Sequence, residues 1–266
     1  MFTAKSTVPA VAHKTQRKNP TQRSPMTTPT SLVVGASGNT GKYVVQYLLD
    51  HGQRVKVICR DKNKMMQLLE PKDYDQESLD ITERSISQLS VTELQELTRD
   101  CTAVVSCLGH NSTLSGIWGS QDRWLVKETV VKLIQAMPPS AKFILMGSEG
   151  VAVPGDDQRS LFDRFLLFLI RYLVPPHSDN EAAAAHVLSL TQPEWCIIRP
   201  TDLQDGPPQK YNIYEKPFGS LFASGIVTRS TVARFMVDLV TDSIKWATYK
   251  FKAPCIHDVV ETNKAK

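Results

Sequence analysis

From Ser31 onward the apolar positions fall into two alternating patterns. Short, mostly apolar runs occupy residues 31–34, 54–59, 103–107, 142–146 and 195–198, with a weaker run at 78–81 and a last one near Cys255. Between them, apolar residues recur at helical spacing over 42–50, 62–70, 92–99, 124–136, 179–190 and about 231–241. The first pattern predicts strands buried on both faces, and the second predicts amphipathic helices. Gly52, Pro71 and the Pro138–Pro139 pair stand where three of those helices should stop. Strands buried on both faces need helices above and below, joined by right-handed crossovers. The expected fold class is therefore α/β, a doubly wound parallel sheet in a single domain over residues 31–258, with a small C-terminal extension on the substrate side. Its ligand belongs at the carboxyl ends of the strands.

Residues 161–174 (LFDRFLLFLIRYLV) depart from this alternation. The stretch is too short, and with Asp163, Arg164 and Arg171 too charged, to span a bilayer. A helix apolar on nearly every side is expected to be buried or to sit in a subunit interface, which would allow a homodimer.

Composition narrows the function classes. The 266 residues hold 31 basic and 27 acidic side chains, but five of the basic ones (Lys5, Lys14, Arg17, Lys18 and Arg23) lie in the first thirty residues, which carry no acid. The remainder is close to neutral, so charge gives no sign of a nucleic-acid groove. Residues 1–30, rich in Ser, Thr and Pro, are expected to form a basic tail outside the folded domain, as are residues 259–266 at the other end. The first tail reads either as an organelle transit peptide or as a plain solvated extension with Met26 as an internal start. The expected compartment is accordingly the cytoplasm, or a plastid or mitochondrion if the tail is a targeting signal. The five cysteines are scattered, odd in number and without a CxxC pair, which suits reduced, buried thiols. The six histidines show neither HxxxH nor HExxH spacing, and no metal site is expected.

The first predicted strand runs directly into Gly35-Ala36-Ser37-Gly38-Asn39-Thr40-Gly41, and a helix follows. In this strand–turn–helix context the GxxGxxG spacing reads as a dinucleotide loop. Gly35 would make the tight turn, Gly38 would let the backbone approach a pyrophosphate, and Gly41 would allow the helix to pack against the strand. Ser37, Asn39 and Thr40 complete the candidate cofactor-binding loop. Arg60, which ends the second strand, is a planar fork suited to the 2′-phosphate of NADP, and Lys62 and Lys64 add positive charge. Asp61 reads as the N-cap of the next helix, so NADP is expected in preference to NAD. Gly109, after the fourth strand, would let the cofactor ribose pass against backbone. Ser148, after the fifth, would stand near the nicotinamide, where it could meet a carbonyl substrate or the carboxamide; an ordinary loop-capping hydroxyl is the alternative.

Taken together, GASGNTG, Arg60, SCLG at 106–109 and Gly147-Ser148 resemble the atypical short-chain dehydrogenases/reductases, and in particular the NAD(P)-binding, NmrA-like group that includes the flavin and biliverdin reductases. The run WCIIRPTDL at 195–203 is similar to that group's W-x-I-x-R-P-x-x-L segment, and TRSTVARFM at 228–236 to its late R-x-x-V-A-x-F-M helix start. The resemblance implies a Rossmann-like fold and a nicotinamide cofactor. One departure bears on mechanism. Many short-chain dehydrogenases use a Tyr-x-x-x-Lys pair, and no Tyr of this chain has Lys four residues on. His177 is the natural substitute acid, with Asp179 as a possible orienting partner. Ser178-x-x-Glu181 can equally be read as a capping box that begins a helix and leaves His177 outside it. Arg199, at the end of the sixth strand, could bind a substrate anion or pair with a structural carboxylate. The Pro- and Gly-rich segment 201–218 is expected to be a loop over the substrate cleft.

These readings point to an NADP-dependent reductase of a small conjugated or carbonyl-type acceptor. The alternatives are a non-enzymatic NADP(H)-binding redox sensor and, on the tail alone, an organellar assembly or RNA-associated factor on the same fold.

Overall fold

The computed structural model describes residues 28–69, 76–109, 124–156, 175–217 and 225–259, together with 160, 162, 163, 165, 166 and 168. Strands β1 (Thr30–Val34), β2 (Arg54–Cys59), β3 (Leu79–Glu83), β4 (Cys101–Ser106), β5 (Lys142–Met146) and β6 (Trp195–Pro200) alternate with helices α1 (Gly41–Asp50), α2 (Lys62–Leu68), α3 (Val91–Thr98), α4 (Leu125–Ala136) and α5 (Pro175–Leu188). Then follow β7 (Asp202–Gln204), β8 (Tyr211–Tyr214), β9 (Ile226–Thr228), α6 (Arg229–Thr241), α7 (Ser243–Tyr249) and β10 (Cys255–Asp258).

Eight strands form one sheet in the order β3-β2-β1-β4-β5-β6-β10-β8, parallel except for β8, which runs antiparallel to β10. The expected doubly wound α/β architecture is thus the one observed. The consecutive apolar runs have their reason in the two-sided burial. Leu32 and Val34 of β1 join the core beneath α3, α4 and α5, while Val33 joins the core beneath α1, α6 and α7, and all three are fully buried. Chain order reverses between β1 and β4, which opens a crevice at the carboxyl ends of those two strands.

Several expectations are corrected. Segment 201–218 is not a plain loop: β7 pairs with β9 in a small separate sheet, and β8 adds an edge to the main one. Strands of three and four residues between Pro and Gly are too short to leave a periodic signal. The helix expected at 179–190 begins at Pro175, so His177 and Ser178 lie inside it and Ser178 is not its N-cap. Two prolines at the first positions preset the helical φ where no N–H partner is needed, and this start prevails over the capping-box alternative. Within 161–174, the described Phe162, Phe165 and Phe168 are helical and 67%, 60% and 62% exposed, contrary to a fully buried helix. The tail residues 1–27 and 260–266 and the Pro71 helix stop lie outside the described residues, as does the rest of 161–174. Among the described residues no helix is long and apolar enough to cross a membrane.

Candidate functional site: a nucleotide crevice and an acceptor corner

The glycine loop is held by backbone contacts that admit no side chain. Gly35 has φ +72°, and a Cβ there would lie 2.6 Å from the Cys107 carbonyl oxygen of the neighbouring strand end. A Cβ on Gly41 would lie 2.2 Å from the Gly35 carbonyl oxygen, so this glycine sets the closeness of α1 to β1. The Gly38 N–H donates to the Gly35 carbonyl at 3.0 Å, which curls the loop under the helix start. Thr40 at the N-cap of α1 makes no side-chain hydrogen bond to the first turn. The first N–H groups of α1 therefore lack the side-chain cap that such a residue usually provides, at the positive end of the helix dipole.

The crevice includes Gly35, Ser37, Gly38, Arg60 and Gly109 among its walls. Asn39, Thr40 and Gly41 do not line it. Asn39 is exposed, Thr40 is buried, and Gly41 packs behind the loop. Residues the sequence reading missed also line it, above all Arg84 and Ser85 just beyond β3. The signal was present but misplaced: the third strand was expected to end at Ile81, and it runs to Glu83.

Three cations, Arg60, Lys64 and Arg84, are among the residues that line the crevice. Arg84 is oriented by Glu93 Oε1 at 2.6 Å. Glu93 also closes a capping box with Ser90 at the start of α3. The Ser90 N–H and hydroxyl, then Arg84, hold the Glu93 carboxyl down to about 2. Asp61 is the N-cap of α2, as expected, and accepts the Lys64 N–H at 2.8 Å. The two thiols in the wall stay protonated at neutral pH: burial raises that of Cys59 and pushes that of Cys107 up to about 12. Among the described residues no cluster of His, Cys, Asp and Glu could hold a metal ion. The glycine cradle, a helix start without a side-chain cap and the lining cations fit a dinucleotide.

Ser148 and His177 come together elsewhere, at the end of β5. A Cβ on Gly150 would lie 2.9 Å from His177 Cε1 and 3.7 Å from both His177 Nδ1 and Ser148 Oγ. Neither side chain is in the crevice wall. The Ser148 hydroxyl accepts the Gly150 N–H at 3.3 Å. Asp179 does not take the orienting role considered for it. Its two carboxylate oxygens accept the N–H groups of Val126 and Lys127 at 2.8 and 2.9 Å, capping α4 from a neighbouring helix. Glu181 Oε1 is the carboxylate oxygen beside His177, 3.4 Å from Nε2. Arg199 resolves as structural. It is fully buried, pairs with Asp156 at 2.6 and 3.0 Å, and donates to the carbonyls of Ala253, Val151 and Glu215.

Comparison with known proteins adds three findings. Residues 35–243 match a family described as NAD(P)H-binding. No curated protein matches the chain. Similar folds occur among solved structures of low sequence identity. A candidate NADH-flavin reductase from Streptococcus pneumoniae is 14% identical, with TM-score 0.61 over 87% of this chain and 100% of that one. ChuY, an anaerobilin reductase from Escherichia coli O157:H7, is 15% identical, with TM-score 0.59 over 89% and 98%. A short-chain dehydrogenase/reductase from Veillonella parvula, solved in complex with NADP, is 13% identical, with TM-score 0.61 over 86% and 94%.

Proposed function

The chain belongs to the NAD(P)H-binding family, and on that premise we propose that it is an NADP-dependent reductase transferring hydride to a small conjugated or carbonyl-type acceptor. The observation that carries the cofactor preference is that Arg60, Lys64 and Arg84 all line the crevice that the glycine loop opens. A 2′-phosphate is a planar-fork target for Arg, and two guanidinium groups and an ammonium group can share its charge. The Asp61 carboxylate, which in an NAD site would bind the ribose, accepts the Lys64 N–H instead. Gly35, Ser37, Gly38 and Gly109 give the cofactor a backbone surface. Asn39 and Thr40 supply the turn, and Gly41 fixes the helix that faces the phosphates.

A reduced nicotinamide, when bound, supplies the hydride. The protein's share is orientation and a proton. Ser148 and His177 are the groups proposed for the last of these, one at the end of β5 and the other on α5. Two of the similar structures are named a candidate NADH-flavin reductase and an anaerobilin reductase, and that likeness supports the acceptor class proposed.

The test is stopped-flow oxidation of NADPH by the purified protein with FMN and with a quinone such as menadione. Acceptor-dependent turnover is the expected result. Tight NADPH binding without turnover on either acceptor supports the second reading, an NADP(H)-binding sensor. The absence of any Tyr-x-x-x-Lys pair in the sequence is what favours that alternative.

A further inference from the structure

His177 lies in the first turn of α5, and Glu181 stands one helical turn further on, on the same face. The imidazole side chain is 12% exposed, and its Nε2 is buried without an aligned hydrogen bond, with Glu181 Oε1 3.4 Å away. The Cε1–Nδ1 edge of the same ring faces Gly150. There Nδ1 and Ser148 Oγ each come within 3.7 Å of the point where a Cβ would stand. Only a glycine leaves that point open. The Ser148 oxygen already accepts the Gly150 N–H, which leaves its O–H hydrogen to point elsewhere.

We propose that Glu181 is the positioning residue of a proton-delivery line, Glu181–His177–Ser148, serving an acceptor whose reducible double bond ends in a heteroatom. The inference rests on the reductase reading above. Hydride adds to the acceptor carbon, the π bond breaks, and its electron pair moves to the heteroatom. The Ser148 hydroxyl gives that atom its proton. The imidazolium of His177 returns a proton to Ser148 from Nδ1 through one water, while Glu181 retains the Nε2 proton. Nδ1 is then reloaded from solvent. The balance is one NADPH, one proton and the acceptor, giving NADP⁺ and the acceptor reduced by two electrons. Asp179, nearer in sequence, is engaged by the backbone of α4, and this leaves the orienting task to Glu181.

The experiment has two readouts on the full chain. The first is the ¹⁵N spectrum of the histidine rings with NADP⁺ bound, which reports the nitrogen that carries the proton. The second is steady-state oxidation of NADPH by menadione. In the wild type the His177 ring should show a fixed Nε2 proton. In Glu181→Ala that signature should be lost, and kcat should fall on the order of tenfold or more with KM for NADPH unchanged. Glu181→Gln, which keeps an acceptor oxygen but no charge, should fall between. Gly150→Ala, whose Cβ would meet His177 Cε1 at 2.9 Å, should shift the ring signals and lower kcat while NADPH still binds. If Glu181→Ala matches the wild type in ring signature and in kcat, the inference is overturned and the reductase reading stands. If the wild type binds NADPH but oxidises it with no acceptor, the reductase reading fails and takes the delivery line with it.

Discussion

The two halves of the sheet achieve order by different means. On the β1–β4 side, geometry is set by backbone approaching backbone: Gly35 against Cys107, Gly41 against Gly35. On the β5–β10 side it is set by buried polar side chains: Arg199 gripping Asp156 and three carbonyls, Asp179 capping α4. A backbone contact demands one residue type at one spacing and can be read from a motif. A side-chain grip demands a partner far away in sequence, so the same residue can be read as a ligand site or as scaffold until the fold is known.

That contrast predicts where substitutions act. The largest effect should come from Arg199→Ala. It leaves Asp156 beside an empty cavity and should cost about 3–5 kcal/mol in chemical unfolding, with NADPH affinity of the folded fraction unchanged. Pairing Arg199→Met with Asp156→Leu should recover most of the loss, since hydrophobic groups often replace a buried ion pair without penalty. An intact fold in Arg199→Ala with lost acceptor turnover would break the comparison by making Arg199 a ligand residue after all.

Gly35→Ala should act in the opposite way. Strain at positive φ costs about 1–3 kcal/mol, and the close contact with Cys107 must add to it. NADPH binding should be lost even where circular dichroism shows the fold retained. Next in size, Arg60→Ala should weaken NADPH roughly ten- to a hundredfold, the effect of about 1.5–3 kcal/mol from a charge-assisted hydrogen bond, and leave NADH binding unchanged. Equal losses for both nucleotides would show that Arg60 reads something other than the 2′-phosphate.

The smallest effect concerns pH. The folded-state pKa of Glu93 is depressed from 4.5 to about 2, so its contribution to the start of α3 is fully present above about pH 4.5 and fades as pH falls towards 2. Amide exchange in the first turn of α3 should accelerate over that window in the wild type and show no such dependence in Glu93→Gln.

The sequence alone made the alternation of strands and helices legible because two-sided burial leaves consecutive apolar runs; β2 and β5 are found at their expected bounds. The glycine loop was legible for the reason given above. Arg84 was not, because a two-residue error at the end of the half-exposed β3 moved the strand end away from it. The start of α5 was hidden by two competing local signals, a proline pair and a capping-box pattern, of which the prolines set the start. Glu181 stood at helical i, i+4 spacing from His177 in plain view, yet Asp179 was equally available until α4 was seen to claim it.

The most direct test of the account is calorimetric titration of the full chain with NADPH and, separately, with NADH. The account predicts one NADPH site per chain and an affinity for NADH weaker by roughly tenfold or more, the share expected from charged contacts to the extra phosphate. Equal affinity for the two would contradict the role given to Arg60, Lys64 and Arg84, and binding of neither would contradict the reading of the glycine loop itself.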